Sequence, residues 1–100
     1  MDYYLYAGVI KQQSLETWSD NQDPFEILEN RKAITNIDWI TFLSDASKLF
    51  SEKVQLDWGS YAYKANKDQL RHLVERYNAK IPGLEALPDE NLGVVFIEMP

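Results

Sequence analysis

The sequence predicts an α+β domain in which helices pack against a small, mostly antiparallel sheet. Three observations favour this fold: strongly apolar segments near both chain ends, helical spacing of apolar residues between them, and a short alternating segment after residue 59. One hundred residues, 45% of them hydrophobic and 26% charged, are typical of one globular domain. We therefore expect a single domain over residues 1–100, with the order strand, helix, helix, strand, helix, strand.

Residues 3–10 predict the first strand, because this segment is rich in Tyr and Val and ends at a polar stretch. Its large side chains occupy both alternating positions, with Tyr3 and Leu5 on one face and Tyr4 and Tyr6 on the other. A strand that is apolar on both faces is typically covered on both sides.

Two helices are predicted in the first half of the chain. The first covers residues 24–34, because Asp23 suits the N-cap position and Pro24 suits the first helical position. The second covers residues 37–52, where apolar side chains recur at spacings of three and four from Trp39 onward.

The third helix and the last strand have equally local signals. Asn66 and Gln69 form the sequence pattern of a capping box, which predicts a helix over residues 67–79. Residues 92–99 are apolar at both parities and predict the final strand. We expect the first and last strands to be adjacent in the middle of the sheet.

A change of parity near Gly59 marks the remaining strand. Apolar side chains occupy even positions over residues 54–58, whereas after Gly59 the large side chains, Tyr61 and Tyr63, occupy odd positions. Because strand side chains alternate with a period of two, this change predicts a bulge or break at the glycine. We expect a strand over residues 60–64 that is entered through a kink.

The predicted sheet has more apolar surface than its helices can cover. Three strands with helices on one face leave the other face open, yet two of the strands are apolar on both faces. Either the polar segment of residues 11–22 covers the second face, or another molecule does. Exposed apolar surface of this kind is typical of an interaction site.

Composition excludes several kinds of function. The chain has no Cys, so it cannot form a disulfide or a zinc–thiolate centre. Its formal net charge of −6 disfavours binding to nucleic-acid phosphates and to anionic membranes. An acid at position 2 and the absence of a base before Lys11 predict no secretory signal. We expect a cytoplasmic protein.

The residue types that support catalysis are sparse. His72 is the single histidine, and its helical position predicts a solvated side chain opposite the apolar stripe. Asp57 and Glu98 lie in or beside strands and could form a carboxylate pair, but the favoured interpretation is that they are solvated edge residues. The four glycines form no phosphate-binding loop. We expect no catalytic residues, no metal and no cofactor.

Charge is distributed unevenly along the chain. Five acids and no base lie between Glu16 and Glu29, and four acids and no base lie between Glu85 and Glu98. In contrast, residues 64–80 contain five bases and two acids. If the two acidic segments meet in the fold, they form a negative patch that complements a basic partner.

Small size, negative charge and spare aromatic side chains favour a non-enzymatic protein-binding module. The most concrete form of this hypothesis is a small acidic inhibitor or immunity-type protein that masks a basic, nucleic-acid-acting partner. Interface anchors are often aromatic and are surrounded by polar rims. The predicted partner contacts are Trp18, Asp20, Glu26, Asp57, Trp58, Tyr61 and Tyr63.

Two alternatives remain open at the level of sequence. The first is a homodimeric structural or regulatory domain that buries its open sheet face against a second copy, with Tyr4, Tyr6 and Tyr63 at the two-fold interface. The second is a small hydrolase or isomerase that uses Asp57 or Glu98.

Overall fold

Five antiparallel strands form one sheet in the described part of the chain. The computed structural model describes residues 2–18, 22–56 and 59–99. The sheet order is β2-β1-β5-β4-β3, and every neighbouring pair is antiparallel. The strands are β1 Asp2–Ile10, β2 Leu28–Ala33, β3 Ser51–Gln55, β4 Tyr61–Ala65 and β5 Leu92–Met99. As predicted, the first and last strands, β1 and β5, pair side by side within the sheet.

Three α-helices lie outside the sheet in the described residues. They are α1 Gln12–Glu16, α2 Trp39–Leu49 and α3 Lys67–Tyr77, and a 3₁₀ helix follows at Leu84–Ala86. The capping box of α3 is formed as predicted: the Asn66 side chain accepts from the Gln69 backbone N–H, and the Gln69 side chain accepts from that of Asn66. None of the described helices is both long and apolar enough to cross a membrane.

One face of the sheet, the helix-side face, packs against α2 and α3. Tyr63 and Phe96 of the sheet contact Phe42 of α2, with ring centroids 6.1 and 6.5 Å from that of Phe42. Leu70 and Leu73 of α3 are fully buried in the same cluster. This core supplies most of the apolar burial that holds the layers together.

The other face of the sheet, the opposite face, is covered by the chain between β1 and β2. Ile10 and Val95 of this face are buried together with Ile27, and the half-buried Leu15 and Trp18 pack against them. The segment that follows β1 therefore contributes to this cover, in agreement with one of the two alternatives for the open face.

The predicted helix over residues 24–34 is wrong. Asp23 forms a single turn, in which its carboxylate accepts from the backbone N–H of Phe25, and the chain then extends into β2. Strand pairing with β1 overrides the helix-start signal. In the extended chain, Ile27 and Ile34 are buried in different cores, on opposite faces of the sheet. Residues seven apart would share one face of a helix.

The predicted helix over residues 37–52 exists but ends early, at Leu49, and β3 begins two residues later. Val54 and Leu56 belong to a hairpin, in which Val54 pairs with Ala62. The predicted three strands and their order are therefore wrong, while the α+β class agrees with the structure. Local spacing missed β2 and β3 because both are edge strands with mostly exposed side chains.

Candidate functional site

A polar cleft of about 390 Å³ opens where five elements meet. It lies between α1, the start of β3, the end of β4, the start of α3 and the start of β5. Its lining includes two carboxylates and one ammonium group among amide and aliphatic side chains. The residues used below are Leu15, Glu52, Lys64, Asn66, Gln69 and Glu90.

The Lys64 ammonium group lies between a carboxylate and an indole ring. Its Nζ is 3.2 Å from Glu52 Oε2 and 5.6 Å from the centroid of the Trp18 ring. The Trp18 Nε1–H donates to the backbone carbonyl oxygen of Glu52 at 2.6 Å, which fixes the ring at the edge of the cleft. Glu52 has a φ of 50°, a left-handed conformation in an edge strand.

Glu90 brings a second carboxylate to the cleft. It is exposed and forms no ion pair with any described residue. Asn66 and Gln69 satisfy each other in the capping box. The charged lining therefore comprises two carboxylates, Glu52 and Glu90, against one ammonium group, Lys64, and has an excess of one negative charge.

The chain that leads into the first acidic segment lies beside the second acidic segment at this cleft. The backbone N–H of Ile10 donates to the carbonyl oxygen of Asn91 at 3.0 Å, which places α1 next to the start of β5. Leu15 and Glu90 consequently line the same cleft. Part of the first acidic segment is neutralised by a base, since Glu26 pairs with Lys11 at 3.3 Å.

The neighbouring acids of the 85–98 segment are engaged by α3. Arg71 pairs with Glu85 at 2.6 Å and with Asp68 at 3.2 Å. The hydrogen bond from Arg71 lowers the pKa of Glu85. Lys67 pairs with Asp89 at 3.6 Å. Glu90 follows directly after the paired Asp89, forms no ion pair with a described residue, and lines the cleft.

The structure separates the sequence-predicted contact residues. Trp18 borders the cleft, and Glu26 is exposed on the same side of the sheet, in its pair with Lys11. Tyr61 is half-buried on the helix-side face, with Lys53 Nζ 4.4 Å from its ring centroid. The remaining predicted contacts Asp20, Asp57 and Trp58 lie outside the described residues.

Tyr63 belongs to the core. Only 1% of its surface is exposed, and its ring packs against Phe42 and Phe50. Burial raises the pKa of Tyr63, while a hydrogen bond with Ser47 opposes this shift. Its side chain is therefore not accessible to a partner in this fold.

Sequence patterns identified Trp18 but missed Glu52, Lys64 and Glu90 as a group. Glu52 was assigned to the end of a helix, so its pairing with a residue on β4 had no signal. Lys64 had one usable signal, since it is the charged residue of an otherwise apolar or aromatic strand. Glu90 was recognised only as part of an acidic segment.

A smaller cleft of about 250 Å³ separates α2 from α3. The Tyr77 hydroxyl group donates to Asp45, and this hydrogen bond raises the pKa of Tyr77. Arg76 Nε donates to the Tyr77 oxygen at 3.1 Å, and the exposed His72 stands at the rim. These contacts tie the two helices together.

Searches for metal sites and for similar proteins add no functional assignment. The described residues contain no group of three or more His, Asp or Glu side chains that could hold a metal ion. Comparisons with protein-family models, curated proteins and solved structures found no match to this chain.

Proposed function

We propose that this chain is a non-enzymatic protein-binding module of the cytoplasm, an acidic inhibitor that masks a basic, nucleic-acid-acting protein. One observation carries the proposal: Glu52 and Glu90 line a cleft beside the half-buried Trp18, with an excess of negative charge. Basic side chains of a partner fit such a cleft, because opposite charges steer association and exclude wrong partners.

The charge balance of the molecule supports the same proposal. Within the described part of the chain, ion pairs with acids compensate the charges of Lys11, Lys64, Lys67 and Arg71. These pairs involve four bases and five acids, so most of the net charge of −6 is carried by residues outside them. A field of this sign accelerates encounter with a basic protein and repels phosphate backbones.

Trp18 gives the proposed interface an anchor. Tryptophan is enriched among the residues that dominate binding energy, especially where polar groups surround it. The Trp18 ring is held by its hydrogen bond to the Glu52 carbonyl and by packing on the opposite face, so little freedom remains to be lost on binding.

Affinity capture with charge variants tests the proposal. The immobilised chain is exposed to a lysate of its own host at low and high salt, beside the cleft variant Glu52→Gln/Glu90→Gln and the control Glu29→Gln/Glu75→Gln, which changes two exposed acids outside the cleft. Both double variants lose two negative charges, but only the first alters the cleft. We expect wild type and control to retain a basic protein at low salt, and the cleft variant to retain roughly tenfold less.

An activity assay completes the test. If the captured protein cleaves or modifies nucleic acid, an equimolar amount of wild-type chain should suppress that activity, and the cleft variant should suppress it less. Equal capture by cleft and control variants would contradict the proposal, because the interaction would then follow total charge rather than this cleft.

The homodimer remains a second candidate function, and one observation favours it. Tyr4 is 41% exposed on the opposite face and stacks on Tyr6 at 6.4 Å between ring centroids. Tyr63 cannot belong to the same interface, because it is buried on the helix-side face. Of the three tyrosines predicted at the two-fold interface, Tyr4 and Tyr6 are therefore the two that a second copy could contact.

A further inference from the structure

The Lys64 ammonium group has two contacts of the kind that hold a bound cation. It lies beside the Glu52 carboxylate and over the Trp18 ring. We propose that Lys64 is an internal substitute for an arginine side chain of the partner protein, and that this arginine displaces it on binding. The inference rests on the proposed function and specifies the group that the cleft receives.

The contacts of Lys64 define what the site recognises. An anionic oxygen and an aromatic face on two sides of one ammonium group are the elements of a cation–π site with a counter-ion. Glu90 lines the same cleft and pairs with no described residue, so Lys64 does not satisfy both carboxylates. An incoming cation with more donors can engage both.

Arginine fits this arrangement better than lysine. Its planar guanidinium group carries five N–H donors, stacks on aromatic rings and forms bidentate hydrogen bonds with carboxylates. Lysine provides a compact point charge, which is the interaction that Lys64 already makes. The cleft of about 390 Å³ is large enough to admit a side chain without opening the fold.

Displacement of Lys64 is energetically feasible. The Lys64 and Glu52 side chains are 26% and 60% exposed, and ion pairs of this kind contribute little because water screens them. The aliphatic stem of Lys64 can remain against the Trp18 side of the cleft while its ammonium group moves into solvent.

The test is an NMR titration of the full ¹⁵N-labelled chain with N-acetyl-arginine amide, followed at the Trp18 indole N–H. Loss of this signal in Trp18→Phe assigns it. We compare wild type, Lys64→Gln and the control Lys11→Gln. The control pair is closely matched, since Lys11 and Glu26 are 27% and 70% exposed and 3.3 Å apart. Both substitutions remove one positive charge.

We expect Lys64→Gln to bind the arginine amide about fivefold more tightly than wild type and Lys11→Gln to bind it like wild type. Adding Glu52→Gln to Lys64→Gln should abolish the gain, and N-acetyl-lysine amide should bind more weakly. Dispersed backbone spectra verify folding, and Lys64→Met replaces Lys64→Gln if the latter does not fold.

Three results would overturn the inference: equal gains in Lys64→Gln and Lys11→Gln, no saturable shift of the Trp18 indole signal, or equal affinity for the two amides. These outcomes are separate from the fate of the proposed function. Capture of a basic protein could depend on Glu52 and Glu90 while the Trp18 signal does not shift. That result would support the inhibitor function and reject the displacement of Lys64.

Discussion

The buried phenol of Tyr63 makes the stability of the fold sensitive to alkaline pH. Burial raises its folded-state pKa above the unfolded value of about 10. The phenol therefore contributes its stability fully below that pH, and the contribution is lost as the pH rises further. We expect the free energy of unfolding, measured with urea, to fall above roughly pH 10 and to fall less steeply in Tyr63→Phe.

The exposed Tyr4 supplies the control for this measurement. Tyr4→Phe removes one phenol from the surface and should leave the wild-type pH dependence unchanged. Some slope should persist in Tyr63→Phe, because the hydrogen bond to Asp45 also raises the pKa of Tyr77. Identical slopes for wild type and Tyr63→Phe would show that the buried phenol is not the cause.

Ser60 is a buried residue whose hydroxyl group is unsatisfied. It is fully buried, and its Oγ has no hydrogen-bond partner among the residues that the structure describes. Because burying a hydroxyl group without a hydrogen bond is unfavourable, Ser60→Ala should raise the free energy of unfolding by about 1 kcal/mol. Chemical denaturation checks this, with the exposed Ser51→Ala as a control near zero. Destabilisation by Ser60→Ala would show that its hydroxyl group has a bonding partner in solution.

At the scale of the elements, local signals succeeded where neighbouring residues alone decide the structure. The capping box at Asn66 predicted α3 because both of its hydrogen bonds lie within four residues. The equally local signal at Asp23 produced one turn and then a strand, because β1 pairs with the chain that follows. A prediction from neighbouring residues cannot include the free energy of pairing with residues about 20 positions earlier.

The change of parity at Gly59 is not the predicted kink at the entry to one strand. It marks a reversal of the chain between β3 and β4, with Gly59 at a φ of 72°. Gln55 pairs with Tyr61 across the hairpin, and the backbone N–H of Leu56 donates to the carbonyl oxygen of Ser60. Even positions face the same side in both strands, since Val54, Leu56 and Ala62 share the core of the opposite face. The large side chains of β4, Tyr61 and Tyr63, pack on the helix-side face instead. Alternation therefore recorded which face carries the large side chains, and it contained no signal for a reversal.

Gly8 determines how closely β2 approaches β1. A Cβ atom added to Gly8 would lie 2.8 Å from the carbonyl oxygen of Glu29, which belongs to the backbone of β2. Asn30, with a φ of 52°, forms an irregularity at the same point of the ladder. Since backbone cannot yield as a flexible side chain does, Gly8→Ala should lower the free energy of unfolding by about 1–3 kcal/mol in urea denaturation. A change below about 0.5 kcal/mol would show that β2 shifts freely.

At the scale of the whole molecule, the candidate site depends on contacts between distant parts of the sequence. Trp18, Glu52, Lys64 and Glu90 come from four separate segments, and the strand order brings them together. The sequence supplied the acidic segments and the aromatic residue. It could not supply their meeting point, because that point depends on β3, which was not predicted.

The two edges of the sheet bear on the oligomeric state. Each edge strand contains one residue in the left-handed region, Asn30 in β2 and Glu52 in β3, and each carries charged, exposed side chains. Irregularities and charges of this kind oppose pairing between the edges of two molecules. An extension of the sheet through either edge is therefore disfavoured, and a dimer would have to use exposed apolar side chains such as Tyr4 on the opposite face or Ile40 of α2.

We accordingly expect a monomer of 11.7 kDa at every concentration from micromolar to millimolar in light scattering. Tyr4→Ser should not change the mass, because the ring covers too little surface to hold two copies together. A mass that doubles with concentration and reverts in Tyr4→Ser would instead favour the homodimer. The acidic cleft beside Trp18 would still require its own test, because Tyr4 is not among the residues that line it.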